Sequence, residues 1–159
     1  AELMRRGLYI PDEAFLNGLA KVKWPGRLEI VGRGPCIILD ASHTPDGART
    51  VSEEVERLIG GKIILILGVL RDKDLDGIAR AFGRISRRAV ATAPPTDRAY
   101  SAEEVGSVLS AYCPTDTVDG VGRAIEWARS NAAPDDTILV TGSLYTIGEA
   151  KRWMNGQTG

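Results

Sequence analysis

Little in this chain suits a metal: its 159 residues include one histidine, His43, and two cysteines, Cys36 and Cys113. A zinc site of the usual kind needs more nitrogen and sulfur donors than that. The cysteines lie far apart in sequence, and Cys36 opens an apolar run. It reads as a small core residue in a reducing compartment, not as half of a disulfide. No apolar run approaches the ~20 residues of a membrane-spanning helix, and the N-terminus lacks a charged-then-apolar signal pattern. Neither sign of charge prevails, because 20 basic residues face 21 acidic ones for a formal net charge of -1. That balance gives no general case for nucleic acid or an anionic membrane as partner. A hydrophobic share of 43% and a charged share of 26% are ordinary for a soluble globular domain, here expected in the cytoplasm.

What the chain does have is a steady alternation of short apolar runs and helical patterns. Cys36–Leu39, Lys62–Leu67, Arg88–Thr92 and Thr137–Thr141 read as strands, with Leu28–Val31 and Thr115–Val118 as weaker ones. The run Ile63-Ile64-Leu65-Ile66-Leu67 shows no polar alternation, so both its faces should be covered, as in a parallel sheet between helices. Leu28–Val31 can pair with Cys36–Leu39 as a hairpin through Gly32-Arg33-Gly34-Pro35, which gives one antiparallel edge.

Helices fall between the strands. Thr44 can cap a helix beginning at Pro45, with Ala48, Val51, Val55 and Leu58 inward and Gly60-Gly61 stopping it. A second is expected over about Lys73 to Arg84, and a third behind the capping box Ser101 and Glu104. A fourth follows Gly120, and the last opens at Ser143 with Leu144, Ile147, Ala150 and Met154 inward. The pattern predicts an α/β, Rossmann-like, doubly wound and mostly parallel sheet of about six strands, with helices on both faces. Residues 1–24 break the alternation: a helix over Pro11 to Ala20 runs into a linker closed by Pro25-Gly26. They read as the tail of a preceding domain, leaving 25–159 as the domain proper. The other reading is an ordinary N-terminal helix packed on this domain.

The chemistry-bearing residues gather early. Trp24-Pro25-Gly26-Arg27 is followed by Asp40-Ala41-Ser42-His43-Thr44-Pro45-Asp46-Gly47-Ala48, a buried strand end running into a polar turn and a helix. In open α/β sheets, ligands bind just beyond the carboxyl ends of strands.

These two segments, with Leu67-Gly68-Val69 before Asp72-Lys73-Asp74 and with Val140-Thr141-Gly142-Ser143-Leu144-Tyr145, stand in an order that resembles a known family. It is the C-terminal domain of folylpolyglutamate synthase/dihydrofolate synthase, within the Mur ligase superfamily. The resemblance implies an ATP-dependent ligase that joins glutamate to a folate or dihydropteroate carboxylate through an acyl phosphate. It implies a partner N-terminal ATPase domain that carries a P-loop and holds Mg2+. This chain has no such loop, since Gly60-Gly61-Lys62-Ile63 lacks the spacing and the hydroxyl that cradle phosphates and magnesium. The chain is therefore not expected to catalyse alone. Two other readings stay open: the lobe of another Mur-type ligase, or a non-catalytic Rossmann-like nucleotide-binding domain.

The resemblance implies roles residue by residue. Arg27 would contact ATP phosphates, as a guanidinium fork suits them, or be a plain surface arginine. Asp40 would bind the nucleotide, or serve as a turn residue that holds the loop, or both. His43 would be the catalytic residue near the terminal phosphates or the incoming glutamate. Asp72 and Lys73 would hold glutamate, against a reading as an ordinary acidic helix start. Ser143 would bind a carboxylate with the first-turn amides, against a plain N-cap. The chain departs from the family at Thr44, where Asn is usual, and at Ala41-Ser42; Thr44 can still cap a helix but has no side-chain amide to bridge two partners.

Overall fold

The computed structural model describes residues 24–156, together with a few scattered residues before them. Half of the helix expected over Pro11 to Ala20 lies outside the described residues. Six strands form one sheet in the order β1-β2-β6-β3-β4-β5. They are β1 (Glu29–Gly32), β2 (Cys36–Leu39), β3 (Ile63–Leu67), β4 (Ser86–Ala91), β5 (Thr115–Thr117) and β6 (Thr137–Thr141). Only β1 runs antiparallel, pairing Glu29 with Leu39 and Ile30 with Ile38. Every other neighbouring pair is parallel. The expected hairpin and edge strand are both present.

Among the described residues, five helices cover the sheet: α1 (Pro45–Ile59), α2 (Leu75–Arg84), α3 (Ala102–Leu109), α4 (Val121–Ser130) and α5 (Leu144–Gly156). Strand β3 is fully buried, and its side chains alternate between two cores. Ile63, Leu65 and Leu67 meet Val55, Ile78, Phe82 and Val105 from α1, α2 and α3. Ile64 and Ile66 meet Ala124, Ile125, Ile147 and Ala150 from α4 and α5. Each such Ile or Leu contributes about 1.5–3 kcal/mol through burial, which explains a strand with no polar position.

Local chemistry sets the helix ends. Thr44 caps α1 by accepting from the Gly47 amide, and Gly60 in the left-handed region (φ 68°) closes it. Ser101 and Glu104 form the expected capping box on α3. The second helix starts later than expected, at Leu75, because the Asp74 carboxylate accepts from the Gly77 amide and makes Asp74 the cap. Two expected inward residues face solvent. Leu58 is 60% exposed because the last turn of α1 runs past its packed stripe, Ala48, Ser52 and Val55. Leu144 is 63% exposed at the first position of α5, just beyond the carboxyl end of β6.

The winding fixes where a ligand can sit. From β2 the chain passes through α1 to β3, and from β6 it passes into α5. The strands β2 and β6 are neighbours, yet α1 packs on one face and α5 on the other. Loops that leave adjacent parallel strands for opposite faces open a crevice, the usual ligand position in such sheets.

Candidate functional site

Both segments that flank this crevice carry the residues singled out from the sequence. After β2, the backbone of Asp40 still follows β6, donating to the Val140 carbonyl at 3.0 Å. Ala41 then donates to the Gly26 carbonyl at 2.8 Å, which draws the turn after Trp24 onto the strand end. Gly26 can lie there because it has no side chain: a Cβ would fall 2.4 Å from Cδ1 of Ile147.

Asp40 clasps the two segments together. It is 1% exposed, with Oδ1 accepting from the Ser42 amide at 2.8 Å and Oδ2 from the Leu28 amide at 3.1 Å. Leu28 is held at φ 44°, a left-handed conformation that a branched side chain rarely adopts. Such a residue costs on the order of 1–3 kcal/mol, so its neighbours must over-determine it. Glu29 helps from the other side: its carboxylate accepts from the Gly26 amide and pairs with Lys151 at 2.6 Å. The Lys151 hydrogen bond is the main reason that the Glu29 carboxyl lies below its ordinary range.

Arg27 is the residue this clasp presents. Its side chain is exposed, and among the described residues it meets no carboxylate. His43 is half-buried, with Nδ1 2.8 Å from the Ala41 carbonyl. A carbonyl only accepts, so Nδ1 carries the proton and Nε2 is the free nitrogen, able to accept a proton or, once protonated, to donate. The segments that carry Arg27, Asp40 and His43 thus meet at one rim of the crevice, through the bonds joining Gly26–Leu28 to Asp40–Ser42.

Ser143 lies on the opposite wall with its hydroxyl turned inward. It is 1% exposed, accepts from the Thr146 amide at 3.0 Å and lies 2.8 Å from Oγ1 of Thr146. Since Thr146 donates its own hydroxyl to the Gly68 carbonyl at 2.8 Å, the Ser143 hydroxyl must donate to Thr146. What α5 offers the crevice is therefore its first-turn amides and the positive end of its dipole. Asp72 and Lys73 follow β3 in a separate loop and pair with each other at 2.9 Å. The Lys73 hydrogen bond is the main cause that lowers the Asp72 carboxyl, with Arg98 adding charge. Their loop approaches the His43 turn indirectly, where Gly77 of α2 lies against Pro45 of α1.

Sequence reasoning overlooked Leu28, Glu29, Lys151 and Thr146. Thr146 had a local signal, standing three residues after Ser143 at a helix start. Its bond to Gly68, 78 residues away, had none.

A doubly wound sheet with an exposed arginine, a histidine and a helix N-terminus near its switch point is an arrangement that suits an anionic ligand. Residues 26–144 match the Mur ligase, glutamate ligase domain, and the chain belongs to that family. It is 33% identical over 156 residues to a probable bifunctional folylpolyglutamate synthase/dihydropteroate synthase of Halobacterium salinarum, covering 96% of this chain and 19% of that protein. Among solved structures it superposes on Escherichia coli FolC in complex with DHPP and ADP at a TM-score of 0.90. The identity there is 26%, over 99% of this chain and 37% of that one. A bifunctional folylpolyglutamate synthase/dihydrofolate synthase with Mn, AMPPNP and L-glutamate bound gives a TM-score of 0.83 at 27% identity, over 93% and 36%. The chain therefore spans well under half the length of the relatives it matches.

Proposed function

We propose that this chain is the C-terminal lobe, residues 25–159, of an ATP-dependent ligase that adds glutamate to a folate or dihydropteroate carboxylate. Its partner is an N-terminal P-loop ATPase domain, and it works in the cytoplasm. The observation that carries the reading is the Arg27 turn: a strained, doubly clasped loop, bonded to the Asp40–Ser42 turn at the switch point, that holds an exposed guanidinium with no carboxylate partner among the described residues. Local strain of this kind collects at functional positions, and a guanidinium without a carboxylate has its whole donor fork for phosphate. A relative solved with Mn, AMPPNP and L-glutamate supports the ligand set.

In this reading Arg27 holds the ATP phosphates as the acceptor carboxylate becomes an acyl phosphate. Asp40 serves the nucleotide first by fixing the Arg27 turn, and each of its oxygens keeps a lone pair beyond the one amide it accepts. His43 Nε2 takes a proton from the attacking glutamate ammonium, or steadies the phosphate as imidazolium. Lys73 and the amides after Ser143 receive glutamate carboxylates, with Asp72 fixing the Lys73 ammonium, which has donors to spare. Mg2+ would come with the P-loop domain. Among the described residues no group of three or more His, Cys, Asp or Glu side chains could hold a metal. ATP turnover requires both lobes.

The test is Arg27→Ala in the full-length enzyme. Loss of a charged hydrogen bond of about 1.5–3 kcal/mol should lower kcat/KM for ATP by about 10- to 100-fold. Unchanged ATP kinetics would remove Arg27 from the site and the reading with it.

A further inference from the structure

The geometry points to a second binding site at the other end of the sheet: a pocket for a small organic dianion with an apolar body. This inference does not rest on the ligase reading. The β1–β2 turn, the start of β2, the last turn of α4 and the end of α5 enclose a cavity of about 310 Å3. Val31, Ile37, Trp153 and Met154 form its apolar wall, and its charged lining residues are Arg33 and Arg129. Among the described residues, no carboxylate lines it.

The pairing of arginines across the molecule gives these two their weight. Between residues 24 and 156, every arginine except Arg27, Arg33 and Arg129 lies within ion-pair distance of an aspartate or glutamate. Acidic residues are plentiful in a chain of net charge -1, so an arginine left without one needs a reason. Arg27 belongs to the turn bonded to the strand end at the crevice. The other two face one cavity, although they come from a hairpin and a helix about a hundred residues apart.

Two guanidinium forks suit two carboxylates, or one phosphate shared between them. The indole of Trp153 and the thioether of Met154 suit an apolar body between those charges. A volume near 300 Å3 lies at the lower end of small-molecule sites. The cavity opens at the amino end of β2, roughly 10 Å from Asp40 by strand rise, so an occupant leaves the crevice free.

The test titrates the 15N-labelled 159-residue chain with benzene-1,3-dicarboxylate and, separately, with phenyl phosphate, following the arginine Nε–H resonances. At least one probe should shift Arg33 and Arg129 along a common saturating curve, and the tighter probe identifies carboxylate or phosphate as the natural anion. Arg33→Gln and Arg129→Gln should each weaken binding at least about tenfold, with amide spectra confirming the fold. Arg57→Gln, an exposed arginine paired with Glu54 elsewhere, should leave it unchanged. Absence of a shift at Arg33 and Arg129 with either probe up to about 10 mM overturns the proposal, as does equal weakening by Arg57→Gln.

Discussion

Substituting alanine at Gly142 tests whether the crevice wall is as rigid as its contacts require. Gly142 joins β6 to the α5 cap at φ 105°, where an L side chain is strained whatever the space around it. There is also no space. An added Cβ would lie 2.6 Å from the Gly68 carbonyl oxygen and 2.9 Å from Cδ1 of Leu67. Gly68 cannot retreat, because its amide donates to Thr141 at 3.2 Å and its carbonyl accepts from Thr146 at 2.8 Å. The backbone strain costs about 1–3 kcal/mol. Overpacking adds about 1–3 kcal/mol. A combined loss of about 2–6 kcal/mol should lower Tm by about 6–18 °C in a chain of this length. Gly148, six positions on and inside α5, is the control, since no atom lies within 4 Å of its would-be Cβ and its φ is ordinary. Gly148→Ala should raise stability by about 0.5–1 kcal/mol, because helix interiors favour alanine. Urea unfolding of the two variants should therefore move the midpoint in opposite directions. A loss at Gly142 below about 1 kcal/mol would mean that the β6–α5 junction relaxes freely, which would refute the reasoning.

Two further perturbations address the clasp itself. Asp40→Ala leaves the part-buried Leu28 amide and the buried Ser42 amide without acceptors and should cost about 3 kcal/mol. Asp40→Asn, which keeps one acceptor oxygen, should cost less; equal urea midpoints for Asp40→Ala and the parent chain would show that the carboxylate does not hold the turn. The Glu29–Lys151 pair makes stability pH-dependent with a definite sign. The folded carboxyl is lowered from 4.5, so its contribution is complete above that value and is lost as pH falls through the folded pKa. Urea midpoints at about pH 6 and about pH 3.5 should therefore converge more in Glu29→Gln than in the parent chain. The same acid loss in both would exclude Glu29 as a contributor.

The fold was legible because its signals are local or periodic. The unbroken apolar run Ile63–Leu67 demanded cover on both faces, and the structure supplies two cores. Thr44, Ser101 and Glu104 cap helices by reaching three residues along the chain, which sequence spacing displays directly. Leu58 and Leu144 misled because helical period marks a face but not where that face runs out of partners.

The candidate site was legible in its residue types and far less in their bonds. Asp40 could be read as a carboxylate at a strand end, ready either for a ligand or for its own turn. Its bond to the Ser42 amide follows from local turn chemistry. Its bond to Leu28, 12 residues back, required the hairpin register, because only antiparallel pairing of Glu29 with Leu39 brings those two ends together. Ser143 makes the same point from the other wall. A serine opening a helix can cap it or bind a ligand, and its hydroxyl proton decides between the two. That proton goes to Thr146 because Thr146 has already given its own to Gly68, across a parallel strand pair absent from local spacing. The direction in which a polar side chain spends its last hydrogen bond is thus a tertiary property. Residue type selects the candidates for a site, and strand register then separates the side chains that face a ligand from those that brace its walls.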